Sequence, residues 1–190
     1  MKEIEVKVLE IDPKEIVAKL KELGAKKVEQ GLVHAKAFDF PDDRLVKKGQ
    51  YVRVRKIADR IEVVFKDPIK GEHFKVNEET EFTVDDFDAA CLIFEKLGMK
   101  LFADMEKYRV TYKIGDVKVE LDKYAEIPWF LEVEAPTEEY VEHVVTELGF
   151  DFRDPKKVTA KIIKDVYGDK MHFVSFKEKG ESPDYDSLFE

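Results

Sequence analysis

Cysteine is nearly absent: Cys91 is the single one, so no intrachain disulfide framework can form and the paired cysteines of a zinc ribbon are excluded. Four histidines, His34, His73, His143 and His172, are scattered without the spacing of metal ligands, and each is expected to be structural or merely exposed. No apolar run approaches the roughly 20 residues of a membrane-crossing helix. The N-terminus opens on a charged strand pattern and lacks the apolar stretch of a signal peptide, so a cytoplasmic location with no membrane partner is expected. A basic surplus is missing as well, because 42 acidic residues outweigh 33 basic ones for a net charge of −9. Broad nucleic-acid surfaces depend on exposed lysine and arginine, so no nucleic-acid partner is expected either.

What the chain has instead is charge of both signs. Charged residues make up 39% of its 190 positions, against about 25% in an ordinary globular protein. Part of that excess fits the Lys/Glu enrichment of thermophile proteins. Hydrophobic residues at 44% still suffice for a real core, and the length suits one domain with at most a small appendage.

Lys2 to Glu10 alternates charged and apolar residues with the period of a strand. Asp12, Pro13 and Glu15 then form a helix start, Ile16, Leu20 and Leu23 an apolar stripe, and Gly24 a stop. Strands are predicted over 27–40, 50–57, 60–67 and 73–83, then a helix over 85–97 that buries Cys91 as a small hydrophobe. Strands over 100–113, 116–125 and 129–135 follow, with helices over 137–148 and 156–167. From Asp169 to Glu190 the pattern loses its period, and a loosely attached tail is expected beyond a domain of residues 1–168. Glu3-x-Glu5, Glu79-x-Glu81 and Glu132-x-Glu134 each precede a helix ending in Leu-Gly, an internal echo that suggests pseudosymmetry.

Each strand carries one charged row. Glu3, Glu5 and Lys7 oppose Ile4, Val6 and Val8, and Arg53 and Arg55 oppose Val52 and Val54. Lys66, Lys107, Arg109, Lys118, Glu120, Asp122, Glu132 and Glu134 continue the pattern on later strands. An ordinary half-buried sheet with its charged face in water would show the same alternation. The amphipathic helices, however, need the apolar face, which turns the charged rows toward the axis of a closed antiparallel eight-stranded β-barrel of the α+β class, with helices packed outside. So many ions in a dry interior would cost several kcal/mol each, roughly, so the bore should be wet and should hold a charged ligand. Arginine and lysine rows suit polyphosphate oxygens, while carboxylates without His or Cys suit a hard cation such as Mg²⁺ or Mn²⁺.

The ordered series Glu3-x-Glu5-x-Lys7, Arg53-x-Arg55, Lys66, Glu79/Glu81, Lys107-x-Arg109, Glu120-x-Asp122 and Glu132-x-Glu134 resembles the CYTH family of triphosphate tunnel metalloenzymes, over about residues 1–168. That family includes class IV adenylyl cyclases, thiamine triphosphatases and inorganic tripolyphosphatases. The resemblance implies Glu3, Glu5, Asp122, Glu132 and Glu134 as metal ligands. It implies Lys7, Arg53, Arg55, Lys66, Lys107 and Arg109 as phosphate-binding residues, with Lys75 and Glu81 aligned less securely. Lys66 is the candidate catalytic residue, as a general base or, more simply, as a phosphate clamp. Family members often carry a Ser-Tyr pair in the last helix, where this chain has Thr159-Ala160-Lys161. The implied partner is ATP, thiamine triphosphate or tripolyphosphate, and association as a homodimer is left open. A cyclase-like activity heads the expectations, slightly favoured by Phe38-Asp39-Phe40-Pro41-Asp42; a triphosphatase and a non-catalytic polyphosphate or nucleotide sensor are the alternatives.

Overall fold

A computed structural model describes residues 2–69, 75–161 and 163–189; within it the side chains at 2, 3, 75, 169 and 170 are not described, and His73 lies outside the described residues. Eight strands form a closed ring: β1 (Lys2–Val8), β2 (Lys26–Asp39), β3 (Tyr51–Ile57), β4 (Arg60–Ile69), β5 (Lys75–Val84), β6 (Lys100–Ile114), β7 (Val117–Lys123) and β8 (Phe130–Ala135). Round the barrel they run β6, β2, β3, β4, β5, β1, β8, β7, and the β6–β7 ladder joins the last to the first. All eight ladders are antiparallel.

The rows sort by face as the alternation requires. Ile4, Val6 and Val8 of β1 are buried in a large outer core with Val117, Val119, Leu121, Leu131 and Val133, covered by the apolar stripes of α1 (Pro13–Glu22) and α3 (Glu138–Glu147). A second core of Phe38, Val54, Ile61 and Val63 is covered by Ala90 and Cys91 of α2 (Phe87–Lys96). Burying these outer faces against helices supplies the hydrophobic stabilisation, and it leaves the charged rows the inside.

The three strand-helix echoes are built alike. Asp12, Asp86 and Thr137 cap the three helices by accepting hydrogen bonds from first-turn backbone N–H groups. Each helix ends at leucine followed by a glycine with φ of 73°, 86° or 86°, a left-handed conformation glycine adopts without penalty. In each, the residue after the glycine donates back to the carbonyl five residues earlier: Ala25 to Leu20, Met99 to Phe94 and Phe150 to Val145. The Glu-x-Glu strands of the three units, β5, β1 and β8, are consecutive neighbours in the ring.

Two expectations are corrected. The helix predicted over 156–167 begins instead with a two-residue strand, β9 (Val158–Thr159), and among the described residues of that range only α4 (Ile163–Tyr167) is helical. β9 pairs with Lys7 and Val8 on the edge of β1 opposite β8, and this pairing overrides the local helical pattern. The segment after 168 is no loose tail: β10 (Phe173–Val174) runs parallel to β6, and Met171, Val174, Phe176 and Phe189 join the large core. Tyr108 donates its hydroxyl hydrogen to Asp186, and Tyr185 and Phe189 pack edge-on against Trp129. Among the described residues, no helix is long and apolar enough to cross a membrane.

Candidate active site

The ring order divides the bore by sign. β3, β4 and β6 send Arg53, Arg55, Lys66, Lys107 and Arg109 to the wall of a central cavity, and β2 between them adds the small Ala37. The other four strands, consecutive as β5, β1, β8 and β7, face them with Glu79, Glu5, Glu132, Glu134 and Glu120. Lys7 and Lys118 are cations set within the acidic arc. The cavity measures about 960 Å³, a volume within the usual range of small-molecule sites.

Ion pairs bind the two arcs together. Arg109 grips Asp122 with a two-pronged fork, Nε to Oδ1 at 2.6 Å and a terminal nitrogen to Oδ2 at 2.5 Å. It also reaches Glu132 at 2.6 Å and pairs with Glu120. Lys107 donates to Asp122 at 2.7 Å, Lys7 lies 2.9 Å from Glu5 and 3.0 Å from Glu132, and Lys118 lies 2.7 Å from Glu134. Arg55 pairs with Glu62 at 2.6 Å, and Lys66 pairs with Glu79. Removing such ions from water is costly, so the pairing is what makes a charged interior tolerable.

The proton affinities follow from these contacts. Burial by itself pulls Lys7 down, yet the charges of Glu132 and Glu5 outweigh it and hold its pKa above the ordinary lysine value. Burial likewise opposes the charge on Arg109, and Asp122 and Glu120 overcome it. Lys107 goes the other way: burial and the neighbouring Arg109 depress its pKa, although Asp122 and Glu132 counteract them.

All six candidate phosphate-binding residues, Lys7, Arg53, Arg55, Lys66, Lys107 and Arg109, line the one cavity. Of the candidate metal ligands, Glu5, Glu132 and Glu134 line it too. Asp122 is fully buried beside it, beneath Lys107 and Arg109. Glu3 pairs through its backbone with Asn77, and its side chain lies outside the described residues, as does that of Lys75. Glu81 is exposed, whereas its partner in the pair, Glu79, lines the cavity. Glu79, Glu120 and Lys118 belong to the site although they were not singled out as ligands; their signal was the inward row they share with Asn77 and Asp122. Lys161, Lys164 and His172 also line the cavity, and no periodicity in the sequence marks them.

The donor set fits a hard divalent cation, since the carboxylates on the acidic arc offer oxygen and no thiolate joins them. Among the described residues, no three such groups already converge on one point, because each carboxylate is turned toward a lysine or arginine.

Comparison with known proteins agrees with this geometry. The family described as the CYTH domain matches residues 1–162. A protein of Methanocaldococcus jannaschii named putative adenylate cyclase MJ0240 is 30% identical over 134 residues, covering 70% of this chain and 77% of that one. The PH1012 protein of Pyrococcus horikoshii OT3 superposes with a TM-score of 0.71 at 27% identity, over 86% of this chain and 98% of that chain. A Hippeastrum protein, HpAC1, described as a putative adenylyl cyclase with a dominant triphosphatase activity, shares the fold at a TM-score of 0.58 and 15% identity, over 95% and 96% of the two chains. Sign-divided tunnel, strand order and sequence match agree: the chain belongs to the CYTH domain family.

Proposed function

We propose that this barrel is a metal-dependent enzyme acting on triphosphates, of the adenylyl cyclase type, which converts ATP to cyclic AMP and pyrophosphate. One observation carries the reading: cations and carboxylates occupy opposite arcs of a single bore, the arrangement that a polyphosphate bridged to a divalent cation would neutralise on both sides. The 30% identical Methanocaldococcus jannaschii relative, named a putative adenylate cyclase, supports the choice of reaction.

In this reading Arg53, Arg55, Lys66, Lys107 and Arg109 hold phosphate oxygens, the arginines through paired N–H groups. Lys66, ion-paired to Glu79, serves as a phosphate clamp that touches the reacting group. Glu3, Glu5, Glu132 and Glu134 hold Mg²⁺ or Mn²⁺, which when bound offsets the charge that builds on the transferring phosphate. Asp122 belongs to the same acidic arc and orients Lys107 and Arg109 from beneath. The ribose 3′-oxygen forms a bond to the α-phosphorus while the bond from that phosphorus to the bridging oxygen breaks. Pyrophosphate leaves with the electron pair, and the hydroxyl proton passes to solvent. With water in place of the 3′-hydroxyl, the same clamp would hydrolyse a triphosphate.

The test is to incubate the protein with Mg²⁺ or Mn²⁺ and, separately, ATP, thiamine triphosphate and tripolyphosphate, and to identify the products by phosphorus NMR. Cyclic AMP with pyrophosphate is the expected outcome. Phosphate release without cyclic AMP would replace the cyclase by a triphosphatase. Metal-dependent binding without turnover of any of the three would make the protein a sensor.

A further inference from the structure

The outer faces of the three capped helices differ. α1 turns Lys14, Glu15, Lys21 and Glu22 to water, and α3 turns out Glu138, Glu139, Glu142 and Glu147. α2 buries Ala90 and Cys91 against the barrel and still presents Leu92, Ile93 and Leu97, each more than half exposed, on its other side. The closing leucines show the contrast best, because they occupy the same position of one motif. Leu148 is fully buried and Leu23 packs against the large core, whereas Leu97 is 66% exposed. Phe82 on β5, in register with the Val63 that belongs to the core under α2, adds an exposed ring on the same side of the barrel. A helix apolar all round is normally covered on both sides, and large apolar side chains gathered on one surface mark an interface.

Charge says what covers it. Asp85, Asp86 and Asp88 stand exposed at the N-terminal end of α2. At the C-terminal end Lys96 and Lys100 stand beside Glu95, and Lys100 also holds Asp43 at 2.8 Å. A second copy of α2 laid antiparallel sets each acidic end over the other's lysines and pairs the helix dipoles head to tail, whereas a parallel copy would set the aspartates together. With the two-fold axis between Leu92 and Ile93, Asp88 comes level with Lys96 and Leu97 of the second copy. Four side chains about half exposed offer on the order of 400 Å² per copy, roughly 800 Å² between two, and the charged ends bring the pair to the ~1,000 Å² of a small specific interface.

We infer that the outer face of α2 is where two copies of this chain pair, antiparallel and about a two-fold axis beside Leu92 and Ile93. An interface of that size forms and dissociates with protein concentration rather than permanently. The pairing is independent of what the bore takes.

Sedimentation equilibrium of the full chain from about 1 to about 200 μM tests it, with a monomer–dimer transition expected at a dissociation constant on the order of 10 μM. Ile93→Glu sets two carboxylates against one another at the axis and should weaken the dimer by about thirtyfold or more while leaving the urea midpoint unchanged. Leu97→Glu should do the same, and it covers the case in which Ile93→Glu fails to fold. Asp88→Lys and Lys96→Asp should each weaken the dimer by about threefold, and the two together should restore it, because the exchange reverses both ends in both copies. A protein that stays monomeric across the whole range, or a dimer that Ile93→Glu and Leu97→Glu leave intact, would overturn the pairing and leave this face to a partner of another kind. Losses that add in the double variant instead of cancelling would overturn the antiparallel arrangement.

Discussion

Asp122 has no exposed surface, and it accepts hydrogen bonds from two cations, Lys107 and Arg109. Glu134 occupies the next strand with 22% of its side chain exposed, and its partner Lys118 is exposed to 31%. The two carboxylates should therefore respond differently to loss of charge. Asp122→Asn leaves buried cations short of an anion and should destabilise the fold by about 3 kcal/mol, the low end for a broken buried pair because Glu120 and Glu132 still face Arg109. Glu134→Gln loosens a partly solvated pair and should cost no more than about 1 kcal/mol, yet abolish metal-dependent turnover. Urea unfolding beside a product assay checks both; equal destabilisation by the two substitutions would contradict the division of roles.

At the scale of elements, the basic and acidic arcs are locked to one another by the pairs that Lys107 and Arg109 of β6 make with Asp122 of β7 and Glu132 of β8. A polyphosphate alone would strip cations from carboxylates and leave the carboxylates buried without a counter-charge; a metal alone would do the reverse. Bound together they exchange one full set of pairs for another. Tripolyphosphate is therefore expected to bind about tenfold or more tightly with Mg²⁺ than without it, and Mg²⁺ to gain by the same factor. Titration calorimetry in the four combinations checks this, and independent affinities would refute it. Much of this arrangement was legible in the sequence, because a period of two assigns each residue to a face and the amphipathic helices claim the apolar one. Which carboxylate meets which cation was not, since Lys7 meets Glu132 only through the β1–β8 register, across most of the chain. The replacement of the predicted 156–167 helix by β9 has the same origin: Val158 and Thr159 answer to their pairing with β1 rather than to local propensity.

The whole molecule includes its C-terminal segment. Isolated aromatics without a period carried no sign of this, because their partners lie on the distant strand β6 and at Trp129. Phe176 is 1% exposed within the large core, so Phe176→Ala should cost about 3–5 kcal/mol. Denaturant titration gives the answer, and a change near zero would return the segment to the status of a loose tail. Closure of the eight-strand ring has a kinetic corollary as well. A cleft can hinge apart to let cargo out sideways, but a hoop whose ladders run unbroken from β6 round to β7 has no seam to unzip. Whatever occupies the bore must therefore enter and leave along its axis, between the strand ends.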